Sequence, residues 1–162
     1  MITLNTFTSC DEVRAVLGVD SQELPDATIG LSVYISALYR ALVSFTDSSD
    51  KNLLTYFNSF DLQHMSDEDT LLYYTIKEYA TYVVAETCGS SISMFALKSE
   101  SDGKATQTRF SSDATFQDVL KRIRERLASL SGLLDEMLGS DSSYSIPSIS
   151  LAPIGVNLVT NE

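Results

Sequence analysis

A regular apolar repeat in the last third of the chain is the feature that most restricts its fold. Apolar residues recur there at alternating intervals of four and three, at Phe116, Leu120, Ile123, Leu127, Leu130, Leu134 and Met137. Heptad spacing sustained over three repeats puts these side chains on one face of a long α-helix. We predict a helix over about 113–138, which ends at Gly139 because glycine adopts the left-handed conformation of a helix terminus without strain.

Three earlier segments also carry helical signals. Ser9 and Glu12 have the spacing of a capping box, which predicts a helix over about 10–17. An apolar stripe predicts one helix over about 26–45, and its members are Leu31, Ile35, Leu38, Leu42 and Phe45. The third helix is predicted over about 66–88, with Leu72, Ile76, Tyr79 and Val83 on one face. Further apolar residues widen this face, which is typical of a helix that is central or covered by a partner.

The stretch over about 92–110 has a different pattern. Apolar and polar residues partly alternate on both sides of Asp102 and Gly103, which Lys104 follows. Asp-Gly is a favoured two-residue hairpin turn, because type I′ geometry needs a positive φ at both central positions. We therefore expect a β-hairpin or an extended loop here, with Asp102, Gly103 and Lys104 at its turn.

The composition changes after Gly139. Residues 140–162 are rich in serine and poor in charge, and the apolar and proline positions that we assign to an extended arm are Ile146, Pro147, Ile149, Leu151, Ile154, Val156 and Leu158. Disordered tails are usually low in hydrophobicity and high in charge, so this segment needs a surface to cover. It either joins another chain by strand addition or groove binding, or packs on its own bundle as an irregular strand.

These patterns together predict a mainly α protein. It has a helical bundle domain over 1–139, a hairpin or extended-loop insertion, and an extended C-terminal arm over 140–162. A chain of 162 residues is long enough for one such domain to bury a core.

Composition and motifs exclude several function classes. With 11 basic and 22 acidic residues, the net charge is −11, so the whole molecule repels nucleic-acid phosphates. The single histidine, His64, and the distant Cys10 and Cys88 form no catalytic or metal-ligand spacing. We expect no enzyme activity, no catalytic or metal site and no cofactor. No apolar run approaches the length of a membrane span, so we expect no membrane partner.

Two clusters are candidates for contacts with other subunits. Four of the 11 basic residues lie within six positions, at Lys121, Arg122, Arg124 and Arg126. They form either a solvated face that offsets the acidic remainder, or a contact surface for an acidic protein or for DNA in a pore. Tyr73, Tyr74 and Tyr82 favour a core or subunit interface over a base-stacking platform, because Lys77 is the only cation among them.

Three stretches, taken in order, give the chain a family resemblance. They are Asp11 to Val19 with Glu23 to Asp26, the tyrosine-rich segment from Leu71 to Ala85, and Leu97 to Lys104 leading to Arg109, Phe110 and the long charged helix. In their order and spacing, which cover nearly all of the chain up to Gly139, the sequence resembles the small head–tail connector (adaptor, or head completion) proteins of tailed bacteriophages. The segment beyond Gly139 has no such match.

The resemblance implies a mostly α-helical virion protein, made in the host cytoplasm and located at the head–tail interface. Such proteins form rings, commonly of twelve copies, beneath the portal protein, extend the DNA channel and carry a tail or nozzle protein. Their C-terminal arms reach into the portal, and the basic cluster would then lie within the ring or near DNA. The alternative is a soluble helical binding module or assembly chaperone that captures a partner through its apolar surface.

Overall fold

The computed structural model describes residues 3–47, 49–92 and 113–139, and within these ranges the protein is mainly helical, with no strand. The helices are α1 (Leu4–Phe7), α2 (Cys10–Leu17), α3 (Asp26–Ile29), α4 (Ser32–Ser44), α5 (Leu53–Ser59), α6 (Asp67–Ile92) and α7 (Asp113–Leu138). The ranges expected for α2 and α7 agree with the observed ones. The turn predicted at Asp102, Gly103 and Lys104 and the arm predicted over 140–162 lie outside the described residues.

Helix α6 is the centre of the described fold, since α1, α2, α4, α5 and α7 all pack against it. Its fully buried residues include four that recur at every fourth position: Ile76, Ala80, Val84 and Cys88. The predicted face was wrong in part: Ile76 belongs to the core, whereas Leu72, Tyr79 and Val83 are only partly buried against it. A helix with neighbours on several sides has no single apolar stripe, so its period is a poor guide to its buried face.

Helix α7 runs antiparallel to α6. The Cα of Gly89 on α6 lies beside Leu120, whereas Glu78, eleven positions earlier, meets Arg126 further along α7. The predicted seam of α7 is confirmed for five of its seven residues, which are buried: Phe116, Leu120, Ile123, Leu130 and Leu134. The other two, Leu127 and Met137, are only partly buried. The apolar seam of α7 therefore runs from Phe116 to Leu134.

The helix predicted over 26–45 is two helices, α3 and α4, and α6 ends at Ile92 instead of 88. Leu31 separates α3 from α4 because its backbone is extended, with φ −62° and ψ 141°. Leu31 is half-exposed, and the buried face of α4 is formed by Tyr34, Leu38 and Leu42. Leu31 therefore does not belong to the face that its spacing predicted.

A buried arginine joins α2 to the beginning of α3. The Arg14 guanidinium donates hydrogen bonds to the carboxylates of Asp11 and Asp26 and to the Leu24 carbonyl oxygen, at 3.1 Å. Arg14 is 8% exposed, while both carboxylates lie in contact with water. A buried guanidinium needs such partners for its charge and its donors, so this cluster, the Arg14 clamp, fixes the loop between α2 and α3.

The N-terminus of α2 has the predicted capping box and a link to α6. The Ser9 amide donates to the Glu12 carboxylate at 2.8 Å, and the Glu12 amide donates to the Ser9 hydroxyl at 3.2 Å. The Thr8 hydroxyl also donates to Glu12, and it accepts from the buried Thr81 hydroxyl on α6 at 2.8 Å. The Ser9 amide, more than any other group, lowers the pKa of Glu12.

Two glycines on the hairpin make a matched pair for testing its packing. A Cβ atom at Gly89 would lie 2.6 Å from the Cδ2 of Leu120 and 3.1 Å from the Cδ2 of Leu17, whereas one at Gly132 would meet no atom within 4 Å. We expect Gly132→Ala to raise the free energy of unfolding by about 0.5–1 kcal/mol, because alanine favours the helix. Gly89→Ala should lower it by about 1 kcal/mol, since overpacking, at roughly 1–3 kcal/mol, outweighs that gain. Urea denaturation measures both, and equal stabilisation by the two variants would contradict the close packing at Gly89.

The capping box predicts a pH-dependent contribution of Glu12. The pKa of Glu12 in the folded protein is below its ordinary value of 4.5, so its charge stabilises the fold above that pH and the contribution disappears as pH falls through the folded-state pKa. Glu12→Gln keeps an acceptor but removes the charge. We expect it to lower the free energy of unfolding by about 1 kcal/mol at pH 7 and by less as pH falls towards 3. Urea denaturation at each pH gives the difference in the free energy of unfolding between the parent and the variant, in which the contributions of the other carboxylates cancel. A difference that does not change with pH would exclude a role for the charge of Glu12.

Candidate assembly surface

Ion pairs lie on both flanks of the α6–α7 seam. Arg126 donates to the Glu78 carboxylate through Nη2 at 2.7 Å and Nε at 2.9 Å, and Arg124 donates to Glu86 through Nε at 3.1 Å. Arg124 and Arg126 are two positions apart on α7 and so project to opposite sides of the helix. Each arginine therefore joins α7 to α6 along one edge of the apolar seam.

Two residues of the basic cluster form ion pairs with α6, and the other two do not. Arg124 and Arg126 pair with α6, which agrees with the interpretation of the cluster as an offset for acidic groups. Lys121 is exposed, and its ammonium lies 4.0 Å from the Glu125 carboxylate on the same helix. Arg122 is exposed and makes no ion pair with another described residue. Lys121, whose ion pair lies within α7, and Arg122 are therefore the members of the cluster that make no ion pair with another described helix. The predicted subunit contact remains a prediction.

The three tyrosines also differ in their surroundings. Tyr73 stacks on Phe57, with ring centroids 4.9 Å apart, and meets Phe60 edge-on at 5.8 Å. Tyr74 is 63% exposed and touches Tyr73 with the edge of its ring. Tyr82 is half-buried beside a cleft of about 270 Å³ that Val16 and Arg122 also line. Tyr73 thus contributes to the aromatic packing of its own chain, while Tyr74 and Tyr82 have surface open to a partner.

One side of the hairpin carries an exposed apolar patch at the end where α6 begins and α7 ends. Leu71 and Tyr74 precede Glu78 by seven and four positions, so the three share a face of α6. Leu133 follows Arg126 by seven positions and shares a face of α7 with it. Since Glu78 and Arg126 are paired, Leu71, Tyr74 and Leu133 lie on the same side of the hairpin. They are 58%, 63% and 40% exposed, and we call them the apolar end patch.

Sequence reasoning identified this patch only in part. Of its three residues, the sequence predicts only Tyr74 as an interface residue. The signal for Leu133 is available, because it lies outside the heptad seam of α7 and is therefore expected to stay exposed. Its place beside Leu71 and Tyr74 depends on the antiparallel pairing of the helices, which the sequence does not state.

The two cysteines are in settings that do not favour a reactive thiolate. Burial raises the pKa of the Cys88 thiol to about 12. Burial, and next the Asp26 carboxylate, raise the pKa of Cys10. A thiol with a raised pKa carries little thiolate at neutral pH and is a poor nucleophile. His64 is exposed, with its Nδ1 at 3.1 Å from the Asp61 carboxylate.

Two further kinds of feature are absent from residues 3–47, 49–92 and 113–139. These residues contain no group of three or more histidine, cysteine, aspartate or glutamate side chains that could hold a metal ion. No helix among them combines the length and apolar character of a membrane span. The predicted arm, with Ile146, Pro147, Ile149, Leu151, Ile154, Val156 and Leu158, lies outside this part of the chain.

Comparisons of the chain with protein-family models, with curated proteins and with solved structures found no match.

The division of the basic cluster predicts different effects of neutralising its members. Arg124→Gln and Arg126→Gln should each lower the urea midpoint at low salt, because each leaves a glutamate on α6 without its partner. The effect should shrink in 1 M NaCl, since salt screens partly exposed pairs. Lys121→Gln and Arg122→Gln are the matched controls and should change the midpoint less. Four equal shifts would contradict the assignment of Arg124 and Arg126 to the α6–α7 contact.

Proposed function

We propose that this protein is a structural component of a bacteriophage virion, which forms a ring of commonly twelve copies beneath the portal, joins the capsid to the tail and extends the DNA channel. The proposal rests on the resemblance to head–tail connector proteins. The observation that supports it most is the Arg14 clamp. The first stretch of the resemblance consists of Asp11 to Val19 and Glu23 to Asp26, and the clamp joins these two parts through a buried charge. The spacing of the two parts therefore follows from the contacts of Arg14 in the folded protein, and not from composition alone.

The surfaces of the hairpin suit a protein that is held by neighbours. The apolar end patch exposes three large side chains, and exposed apolar surface often marks an interaction site. Tyr74, Tyr82, Lys121 and Arg122 are the side chains that we assign to contacts between ring subunits. The arm residues from Ile146 to Leu158 are assigned to the portal, and a tail or nozzle protein is the partner on the opposite side of the ring.

The acidic charge is compatible with a channel for DNA. A ring of copies that each carry a net charge of −11 would repel phosphates over most of its surface. DNA could then pass without being held, and any contact through Lys121 and Arg122 would be local and independent of base sequence. The proposal assigns no catalytic step, metal or cofactor to the chain.

A second candidate is a soluble helical binding module or assembly chaperone. The same apolar end patch favours it, because such a protein also keeps an apolar surface for a partner. The two candidates differ in symmetry and copy number. A connector closes a ring of many copies on the portal, whereas a binding module acts as a monomer or dimer and leaves when assembly is complete.

The copy number of the chain in purified particles distinguishes the two candidates. We would add isotope-labelled peptides of this chain and of the portal protein to digested particles and measure the ratio of the two proteins by mass spectrometry. A connector is expected at a ratio near one to the portal. A non-structural protein from the same lysate is the control, because it sets the background of adhering material. If the chain is present in the lysate but occurs in particles only at the background level, the virion role is rejected and the binding module is favoured.

A further inference from the structure

The apolar end patch lies where the chain leaves the helical domain. Helix α7 ends at Leu138, and Gly139 has a φ of +60°, a left-handed conformation that ends the helix. Because α7 is antiparallel to α6, its end lies at the end of the hairpin where Leu71 and Tyr74 begin α6. Residue 140 therefore starts beside the patch, whatever path the chain takes afterwards.

The composition of residues 140–162 matches the patch. The segment holds two acidic residues, Asp141 and Glu162, and no lysine or arginine. Its large aliphatic residues are Ile146, Ile149, Leu151, Ile154, Val156, Leu158 and Val159. Covering these side chains against an apolar surface is favourable, since each buried CH₂ group contributes about 0.8 kcal/mol.

The segment is also long enough to reach the patch. Leu71 and Glu78 are seven residues apart on a helix, so the patch extends about 10 Å from its outer end to the Glu78–Arg126 pair. Ile146 is seven residues beyond Gly139, and an extended chain of that length spans up to roughly 25 Å. The first apolar residues of the arm can therefore lie on any part of the patch.

We propose that residues 146–151 of the same chain cover Leu71, Tyr74 and Leu133 in the free protein. A tethered segment acts at an effective concentration of about millimolar, far above that of a second molecule in a dilute solution. The geometry thus favours the chain's own arm as the occupant. The inference goes beyond the proposed function and does not depend on a portal.

Photo-crosslinking in the full-length isolated chain tests this inference. Tyr74 is replaced by p-benzoylphenylalanine, the protein is irradiated at low micromolar concentration, and the cross-linked peptides are identified by mass spectrometry. We expect a product of monomer size that joins α6 to a peptide from 140–162. The matched control has the same replacement at Tyr39, an exposed tyrosine on α4, and should give no such product.

A second pair of variants tests whether the patch itself holds the arm. Leu71→Asp, added to the Tyr74 replacement, should lower the yield of the arm product at least fivefold, while the helical circular dichroism stays unchanged. Val33→Asp, at an equally exposed position on α4, should leave the yield unchanged. Cross-linked dimers would show that a second copy covers the patch, and the absence of any product with 140–162 would show that the arm does not; either result overturns the inference. Neither bears on the particle copy number, so the two proposals fail independently.

Discussion

The close contact of three helices at Gly89 sets how near Leu120 of α7 and Leu17 of α2 come to α6, the central helix of the described fold. A Cβ at this position would overlap with Leu120 of α7 and come near Leu17 of α2. Glycine is thus the residue that lets both neighbours approach the backbone of α6. Two other small residues on α6, Ala80 and Ala85, are also fully buried. A central helix surrounded by five others needs small side chains at its contacts, because close-packed interiors leave no space for larger ones.

Polar interactions then fix the position of the elements that the apolar core brings together. The Thr81 hydroxyl on α6 donates to Thr8, which is adjacent to the capping box of α2. Arg14, one turn further along α2, holds the loop that leads to α3. These two contacts attach the beginning and the middle of a two-turn helix, which would be marginal on its own. The ion pairs on the flanks of α7 act similarly for the hairpin, although partial exposure makes each of them weaker.

The parts of the fold that could be predicted from sequence are those governed by one local rule. The seam of α7 was predictable because a helix with one main partner repeats its buried residues every three or four positions. The capping box of α2 was predictable because Ser9 and Glu12 interact within a single turn. The break at Leu31 was missed, since apolar spacing continues across it and gives no information about ψ. The face of α6 was predicted only in part, because several partners cover it from different directions.

The candidate surface could be predicted less well, because it depends on contacts between distant residues. Glu86 and Arg124 are 38 positions apart, and nothing in the local sequence of either indicates the other. Tyr73 and Tyr74 are neighbours in sequence, but consecutive helical residues point about 100° apart. Tyr73 therefore stacks on Phe57, whereas Tyr74 faces water. Only the packing of α6 against α5 and α7 determines which members of the basic and tyrosine clusters stay open to partners.

The two proposals together give the apolar arm a place in the protein both before and after assembly. An apolar segment with no surface to cover would promote aggregation of the free chain. Covered by its own patch, the arm would be held until a partner offered a larger apolar surface. The apparent affinity for that partner is then the intrinsic affinity multiplied by the fraction of molecules in which the arm is free. Because the patch has only three large side chains, its hold on the arm is weak compared with a full interface, which buries about 800 Å² on each side. The patch would therefore delay binding of the arm without preventing it.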